Sequence, residues 1–360
     1  MPIHFAGHRA PMAPNLPRII ALAAVMAVPA AYGAFEDPLD KPAQLSPLAT
    51  SRPLFGIAAA GTRLVAVGQR GHVLVSDDGG QDWKQATVPT STDLTAVQFV
   101  TDKKGWAVGH DGLVLTSDDA GATWKKQLDG RQIGPLLVSF YEKAPVEEEK
   151  REGLLSEARF FLESGPDKPF LDVFFENERE GFVIGSFNLI LRTADGGQTW
   201  TPWQDRMDNP RILNLHAIRS IGGEIYVVGE LGIMLKLDRA AQRFVALPSP
   251  YAGSYFGVTG KPDVVIAHGM RGHVYTSRDQ GSTWHKVDTG LEVGVTGATV
   301  LSDGRVAIVS QLGHLLICDD AVASCKAVAG AQHKPAAGVA ESNGSLVLVG
   351  AQGAHREKLN

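Results

Sequence analysis

The chain has 360 residues, a formal net charge of −5 and 44% hydrophobic residues. This length accommodates one large β domain or two smaller ones, and the hydrophobic content is ample for a core. The sequence contains neither a basic stripe nor an acidic tail, which argues against nucleic acid as a partner. Forty glycines with only 7% aromatic residues are typical of short strands joined by tight turns.

The first 34 residues have the pattern of a secretory signal peptide. A positively charged start is provided by His8, Arg9 and Arg18. An apolar run over residues 19–31 follows and ends in small residues. The run is short for a bilayer span, and an uncleaved membrane anchor is the alternative. Cleavage near Gly33 or Ala34 predicts a mature chain over residues 35–360, which in a bacterium would be periplasmic.

An apolar strand followed by Gly-x-x-Gly, or a close variant, recurs seven times along the chain. The copies begin at Gly68, Gly109, Gly185, Gly229, Gly269, Ser310 and Gly350. The intervals between successive first residues are 41, 76, 44, 40, 41 and 40 residues. A period near forty matches the four-stranded blade of a propeller, and the strand-like alternation argues against a helical solenoid. Each unit is therefore predicted to contain a hairpin with this glycine turn at its tip.

A second motif, S/T-x-D-x-G-x-T-W or the Asp box, follows the outgoing strand at a fixed distance. The key residues of its four well-formed copies are Ser76, Asp78, Gly80, Trp83, Ser117, Asp119, Gly121, Trp124, Thr193, Asp195, Gly197, Trp200, Ser277, Asp279, Gly281 and Trp284. Short oxygen-bearing side chains can bond the turn's own amides, glycine supplies an unusual dihedral angle and tryptophan covers the turn. The motif is therefore predicted to be structural. It is degenerate in unit four (residues 238–244) and unit six (residues 318–325).

The chain's two cysteines, Cys318 and Cys325, bracket the degenerate turn of unit six. In an oxidising compartment a disulfide closing this short loop is expected, and two buried thiols are the alternative. No further ligands are arranged around them for a metal ion.

Seven units of this kind predict an all-β, seven-bladed β-propeller. After Gly350 the last unit is about one strand short, so residues 35–50 are predicted to supply its missing outer strand and close the ring. Six blades with a loose tail is the main structural alternative.

The one long interval predicts a helical insertion over residues 131–167, between units two and three. Apolar residues at helical spacing within it are Leu136, Leu137, Phe140, Tyr141, Leu154, Leu155, Ala158, Phe161 and Leu162. A stop signal, Gly165-Pro166, ends the second stripe. Two helices packed as a hairpin would explain both stripes. Their apolar sides either cover each other and the propeller, or part of the stripe is a docking surface for a partner.

Alternate turns of an up-and-down blade lie on opposite faces of the disc, so the glycine turns share a face with the connections between blades. The predicted binding residues on this face are Arg70, Asp111, Phe187, Arg271 and Gln352, and Leu231 and Leu312 occupy the same place in their turns. The two arginines would suit an acidic partner, or are simply solvated. Histidines flanking four of the turns are His72, His110, His273 and His314. Because a whole blade separates them, no metal site is predicted.

The pairing of Gly-x-x-Gly with the Asp box resembles the photosystem II stability and assembly factor family of seven-bladed propellers, over roughly residues 50–355. The resemblance implies a non-enzymatic, lumenal or periplasmic protein without a cofactor, which holds a membrane-protein complex during assembly. Similar relatives occur in bacteria without photosynthesis and are linked to RND-type exporters. The implied partner is therefore a photosystem-like complex or such an exporter, with the chain acting as a monomer.

Asp boxes also occur in sialidases, so an Asp-box glycosidase or a carbohydrate-binding propeller is the functional alternative. A sialidase-like site needs an arginine cluster, a tyrosine nucleophile with a glutamate, and an acid. The arginine-bearing F/Y-R-I-P signature is absent, and residues 210–213 (Pro-Arg-Ile-Leu) echo it only superficially. The tyrosines Tyr226, Tyr251 and Tyr255 have no motif around them, so no catalytic residue is predicted.

Overall fold

The structure is a computed structural model that describes residues 1–2, 36–328 and 334–359. Met1–Phe35 and Glu36–Asn360 are separate units, and all elements named below belong to the second. The predicted signal peptide falls almost wholly outside the described residues and stays a prediction. No helix in the described ranges combines the length and apolar character needed to cross a membrane.

The described residues form seven antiparallel sheets, or blades, each made of strands consecutive in sequence. Blade one contains β1 (Leu54–Ala60), β2 (Arg63–Gly68), β3 (Val73–Ser76) and β4 (Lys84–Gln85). Blade two contains β5 (Leu94–Phe99), β6 (Gly105–Gly109), β7 (Val114–Ser117) and β8 (Lys125–Leu128). Blade three contains β9 (Phe170–Phe175), β10 (Gly181–Gly185), β11 (Ile190–Thr193) and β12 (Thr201–Pro202). Blade four contains β13 (Leu215–Ile221), β14 (Glu224–Gly229), β15 (Met234–Asp238) and β16 (Arg243–Ala246). Blade five contains β17 (Tyr255–Lys261), β18 (Val264–Gly269), β19 (Val274–Ser277) and β20 (His285–Val287). Blade six contains β21 (Val295–Val300), β22 (Val306–Ser310), β23 (Leu315–Cys318) and β24 (Cys325–Ala327). Blade seven contains β25 (Gly338–Ser342), β26 (Ser345–Gly350) and β27 (Gly353–Lys358).

The first strands of the blades surround a central channel. Each first strand contacts that of the next blade, and β25 contacts β1, which closes the ring. Apolar side chains of the second and third strands fill the spaces between blades and bury one hydrophobic cluster after another around the disc. The predicted seven-bladed, all-β propeller is confirmed, and the six-bladed alternative is wrong.

The predicted closure of blade seven by the N-terminal segment is wrong. Residues 36–53 contain a single 3-10 turn and no strand, and blade seven has three strands among the described residues. The segment instead runs beside blade one, where the Ala43 amide donates to the Val88 carbonyl and the Ser46 amide donates to Gln85 Oε1. The side-chain amide of Gln85 holds it there, because Oε1 accepts from the Ser46 amide and Nε2 donates to the Gln44 carbonyl. Such local bonds do not require the alternating pattern of a strand.

The glycine turns and the Asp boxes lie at opposite ends of each blade. In blade one, Gly68 pairs with Leu54 at one end of the hairpin, whereas Ser76, which opens the Asp box, pairs with Leu64 near the other end. The connections between blades lie beside the glycine turns, as shown by the Thr90 carbonyl against Gly71. We call these two surfaces the glycine-turn face and the Asp-box face.

Two helices follow β8 and precede β9 in the chain: α1 (Gly130–Tyr141) and α2 (Glu148–Ser164). Asp129 caps α1 by accepting a hydrogen bond from the Arg131 amide, while Gln132 bonds back to the Asp129 amide. The two helices approach closely at Gly134, where a Cβ would lie 2.5 Å from the Leu162 Cα. Most of the predicted apolar stripe is buried between the helices and blades two and three, which favours the covering role for those residues.

Candidate functional site

Five glycine turns carry a non-glycine residue in the left-handed region of backbone space. The φ angles, between 48° and 56°, belong to Arg70, Asp111, Phe187, Leu231 and Arg271. This conformation costs roughly 1–2 kcal/mol per non-glycine residue, so the surrounding structure must hold it. The sequence predicts variable residues here, but their shared strained conformation is visible only in the structure.

Side chains from the neighbouring blade brace three of these turns, one of them through the Leu231 amide, which donates to Ser254 Oγ at 3.4 Å. The amide of Arg70 donates to Asp93 Oδ1 at 2.7 Å, and the amide of Phe187 donates to Asn214 Oδ1 at 2.8 Å. Asp93 and Asn214 each stand directly before the first strand of the next blade. Each brace fixes a turn side chain on the face and also ties adjacent blades together.

A cationic cavity of about 520 Å³ lies on the glycine-turn face at blade one. It is lined by Lys41, Arg52, Arg70 and His72 together with the polar residues Gln44, Ser46 and Ser91. His72 is only 6% exposed, and among the described residues its Nδ1 atom has no hydrogen-bond partner. Burial, followed by the charges of Arg70 and Arg52, lowers the pKa of His72. The cavity therefore offers the cationic side chains of Lys41, Arg52 and Arg70 to an incoming anionic group.

The cations of this cavity differ from those on the Asp-box face in how they are neutralised. Ion pairs on the Asp-box face join Arg63 to Asp77, Lys104 to Asp118, Arg192 to Glu180, Arg239 to Glu176, Lys261 to Asp320, Arg278 to Asp263 and Arg305 to Asp303. Within the described ranges, neither Arg52 nor Arg70 forms a salt bridge, and Lys41 lies 3.7 Å from exposed Glu36. In this part of the chain the guanidinium groups of Arg52 and Arg70 are therefore not paired with a carboxylate.

An apolar patch lies on the same face at blades three and four. It consists of Phe160 of α2, Phe187, Ile212 and Leu231, whose exposed fractions are 46%, 43%, 37% and 48%. The rings of Phe160 and Phe187 are 5.7 Å apart, and Lys168 Nζ lies 4.7 Å and 5.6 Å from their centroids. The four residues thus form an open apolar surface, which on a monomer typically marks an interaction site.

Ile212 is a β-branched residue in the left-handed region, with φ of 54°. The buried side chain of Asn209 holds its loop, because Asn209 Oδ1 accepts from the Leu213 amide and Nδ2 donates to Asn188 Oδ1. Strain at a bulky residue of this kind is characteristic of functional surfaces. The loop also carries Arg211, which donates to the Leu231 carbonyl at 3.2 Å and joins the loop to the turn of blade four.

The predicted binding residues do not converge on one point. Arg70 lines the cationic cavity, Phe187 lies in the apolar patch, and Arg271 and Gln352 are exposed on blades five and seven. Asp111 lies beneath α1, because its carbonyl accepts from the Gly130 amide at 2.7 Å, and burial raises the pKa of its carboxyl.

Residues of this face that the sequence did not predict are Lys41, Arg52, Phe160 and Ile212. They lie in the N-terminal segment, a helix and a connection between blades. The repeat does not predict where these segments lie on the propeller.

The Asp boxes use their polar side chains within their own turns. In blade five, Ser277 Oγ donates to Asp279 Oδ1 at 2.8 Å and accepts from the Gly281 amide at 2.7 Å. The Thr283 hydroxyl, 2.6 Å from Asp279 Oδ2, is the main cause that lowers the pKa of this carboxyl to about 2. In the boxes of blades one, two and three, the serine or threonine hydroxyl likewise donates to the aspartate and accepts from the glycine amide. A carboxyl with such a low pKa is ionised at neutral pH and is unsuited to general acid catalysis.

The degenerate turns keep the aspartate and replace the rest. In blade four, Asp238 Oδ1 accepts from the amides of Ala240 and Ala241 at 2.9 Å. In blade six, Asp319 accepts from the Ala323 and Ser324 amides. Cys318 and Cys325 form a disulfide across this turn.

The residues considered for a glycosidase do not assemble into a site. Tyr226 and Tyr255 are buried in blades four and five, and burial raises the pKa of each phenol to about 12. Tyr251 stacks on His273 with a centroid distance of 4.2 Å. Over the ranges that the structure describes, no group of three or more histidine, cysteine or acidic side chains is placed to hold a metal ion.

These features define the chain as a seven-bladed Asp-box β-propeller with a cationic cavity and an apolar patch on one face. Residues 55–146 and 161–320 match the family described as photosynthesis system II assembly factor YCF48. The chain belongs to this family, as the sequence resemblance predicts.

Individual relatives are distant. The photosystem II assembly lipoprotein Ycf48 of Synechococcus sp. (strain CC9902) is 28% identical over 148 residues, which cover 40% of this chain and 44% of that protein. The photosystem II stability/assembly factor HCF136 of Oryza sativa subsp. japonica is 23% identical over 213 residues, covering 51% and 50%. The chain thus spans about half the length of the curated relatives it matches. Their names are those of assembly factors, which agrees with the prediction of a non-enzymatic protein.

Among solved structures, YCF48 bound to D1 peptide is similar, with a TM-score of 0.63 and 16% identity over 91% of this chain and 98% of that chain. The WD40 propeller domain of Doa1 gives a TM-score of 0.61 with 9% identity, over 89% and 95% of the two chains. At these identities, the likeness shows the fold alone.

Proposed function

We propose that this protein is a non-enzymatic, periplasmic assembly factor that binds a membrane-protein complex through its glycine-turn face. Membership of the assembly-factor family supports the role, and the solved relative bound to D1 peptide supports a peptide segment of a membrane protein as the ligand. The signal-peptide pattern of residues 1–34 supports export. The client is a photosystem-like complex or an RND-type exporter.

The cationic cavity of blade one is the observation that carries this proposal. Its arginines lack the carboxylate partners that neutralise the arginines of the opposite face, so an acidic segment of a partner gains charge-assisted hydrogen bonds there. The apolar patch of blades three and four lies on the same face and suits apolar side chains of the same partner.

Affinity capture from detergent-solubilised membranes of the source organism tests this proposal. Immobilised residues 36–360 carrying Arg52→Glu and Arg70→Glu should recover at least tenfold less of the membrane complex than the unmodified chain. Arg305→Glu is the matched control, because Arg305 lies on the Asp-box face and pairs with Asp303. It should leave the recovery unchanged. Equal recovery by the folded double variant would refute the assignment of this face.

Localisation and client identity need separate measurements. Fractionation of cells expressing the full-length chain should place the processed protein in the periplasmic fraction, and a cytoplasmic product would contradict export. Mass spectrometry of the captured complex then distinguishes photosystem subunits from exporter subunits. Binding of a glycan with measurable turnover would instead favour the glycosidase alternative.

A further inference from the structure

The first strands can be compared position by position when the count starts at the residue beside the glycine turn, which is Leu54 in blade one and Ala336 in blade seven. The third position in this count is glycine or alanine in six blades: Gly56, Ala96, Ala217, Gly257, Gly297 and Gly338. Small residues suit this place because it faces the next blade; a Cβ on Gly56 would lie 3.3 Å from the Ala96 Cα. Blade three has Asp172 there instead.

The carboxylate of Asp172 is buried and reaches across to blade four. It accepts hydrogen bonds from the Val173 amide at 2.9 Å and the Ile218 amide at 2.8 Å, and from Nη1 of Arg219. The fifth position in the same count, which is Arg219 in blade four, is uncharged in the other blades: Ala58, Gln98, Phe174, Thr259, Thr299 and Ala340. Blades three and four therefore each carry a charged residue where the other blades have an uncharged one. The two charged residues, Asp172 and Arg219, form an ion pair in the channel wall.

Arg219 keeps donors that the protein does not use. Its Nη1 atom bonds Asp172 and the Ile218 carbonyl, while Nε and Nη2 have no partner in the described part of the chain. The side chain is 45% exposed and lines the channel. An ion pair between a buried carboxylate and a partly exposed guanidinium adds little net stability over a small apolar residue at the same place, so stability alone does not account for the pair. A guanidinium edge with two adjacent donors matches the geometry of a carboxylate.

The channel around Arg219 is a cavity of about 390 Å³ lined by the first strands of all seven blades. Toward the glycine-turn face its wall carries the apolar side chains of Phe55, Leu171 and Phe256. His216 lies at the same level, with Nδ1 2.7 Å from the Tyr255 carbonyl. Three residues of strand separate His216 from Arg219, which is about 10 Å. The volume is within the range of small-molecule sites.

We propose that the central channel binds a small organic monocarboxylate that carries an aromatic ring. The carboxylate lies on Nε and Nη2 of Arg219, and the ring packs against Phe256 of the neighbouring blade, whose own ring lies 6.3 Å from that of His216. Because Asp172 neutralises the pair overall, the site selects a singly charged acid held by hydrogen bonds over a doubly charged phosphate. This site is distinct from the cationic cavity and does not depend on the proposed docking function.

Isothermal titration calorimetry with 3-phenylpropionate and 3-phenylpropionamide tests the proposal on residues 36–360. The two probes differ only in the charged group, so the amide should bind at least tenfold more weakly. Arg219→Gln should weaken phenylpropionate binding at least tenfold and leave amide binding unchanged. Asp172→Asn removes the competing negative charge and should bind phenylpropionate at least as tightly as the unmodified chain. Arg305→Gln is the matched control and should bind as the unmodified chain does.

The proposal is overturned if phenylpropionate does not bind the unmodified chain, or if folded Arg219→Gln binds it equally. Tighter binding of phenyl phosphate than of phenylpropionate would overturn the assignment to monocarboxylates. Thermal unfolding followed by circular dichroism shows whether each variant folds. If Arg219→Gln does not fold, Arg219→Lys keeps the charge without the planar fork and should still weaken phenylpropionate binding several-fold.

Discussion

The ring of Phe160 on α2 meets the ring of Phe187 on the glycine turn of blade three, edge to face, at a centroid distance of 5.7 Å and an interplanar angle of 65°. This contact joins the helical pair to the propeller on the face that carries the cationic cavity. Lys168 Nζ pairs with Asp167 and makes cation–π contacts with both rings. The helices are thereby positioned as part of the binding face.

A double-mutant cycle should detect this contact. Phe160→Ala and Phe187→Ala are each expected to lower the free energy of unfolding, and their combined effect should fall short of the sum by roughly 0.5–1.5 kcal/mol, because an edge-to-face pair is lost only once. Urea unfolding measures all three variants. Phe160→Ala combined with Leu312→Ala, on distant blade six, is the additive control. Additivity within about 0.3 kcal/mol in the first cycle would argue against the contact.

Two glycines of the helical pair should respond to alanine in opposite directions. A Cβ on Gly134 would lie 2.5 Å from the Leu162 backbone, so Gly134→Ala should separate the helices and destabilise the protein by about 1–3 kcal/mol. At Gly153 of α2, no described atom outside its chain neighbours and the helix's own nearby backbone lies within 4 Å of the Cβ position. Gly153→Ala should therefore raise the unfolding free energy by roughly 0.5–1 kcal/mol, since alanine favours the helix. Equal effects of the two substitutions in urea unfolding would contradict the close packing.

The fold could be predicted from the sequence because each blade repeats a local rule. The glycine pair and the Asp box mark the two ends of a hairpin at a constant period, so seven copies determine the architecture. The closure of blade seven was not predictable in the same way. Residues 36–53 are held against blade one by hydrogen bonds to side chains such as that of Gln85. No periodic pattern in the sequence shows whether this segment forms a strand of blade seven or lies beside blade one.

The candidate site was predicted in part, for a physical reason. Arg70 and Phe187 lie in repeated glycine turns. The order of strands in a blade therefore predicted which face of the propeller carries them. Arg52 and Ile212 lie in segments whose position depends on tertiary bonds, such as those of Asn209, and the repeat gives no information about them. The pairing of Asp172 with Arg219 could not be predicted from the sequence, because it depends on how the first strands of blades three and four align in space.

The disulfide in blade six should contribute measurably to stability. Cys318 and Cys325 are seven residues apart, and cross-linking a loop of this length removes conformational entropy from the unfolded chain worth about 2 kcal/mol. The double variant Cys318→Ser/Cys325→Ser should lose about that amount in urea unfolding under oxidising conditions. Addition of a reductant should lower the stability of the unmodified chain alone. A reductant effect of equal size on the serine variant would show that the disulfide is not responsible.

His268 should make the protein less stable as the pH falls from about 6.5 to 4. It is fully enclosed between blades five and six, and its Nδ1 atom lies 3.0 Å from the Val295 carbonyl. Burial, reinforced by the charge of Arg219, lowers the pKa of His268 to about 4 from 6.5. The unfolded chain therefore binds this proton first as the pH falls. Stability is complete above pH 6.5, decreases toward pH 4 and is then unaffected by this group, with a total loss of at most about 3 kcal/mol.

His268→Gln isolates this contribution, because glutamine does not titrate and can still donate a hydrogen bond toward the Val295 carbonyl. The pKa values of His72, His273 and His355 are also lowered by burial, so the variant keeps part of the slope. The unfolding free energies of both proteins are measured in urea at half-unit steps from pH 7.5 to 4. The value for the unmodified protein minus the value for the variant should fall by at most about 3 kcal/mol over this range. Parallel curves over this range would mean that His268 is protonated equally in the folded and unfolded states, contrary to its burial.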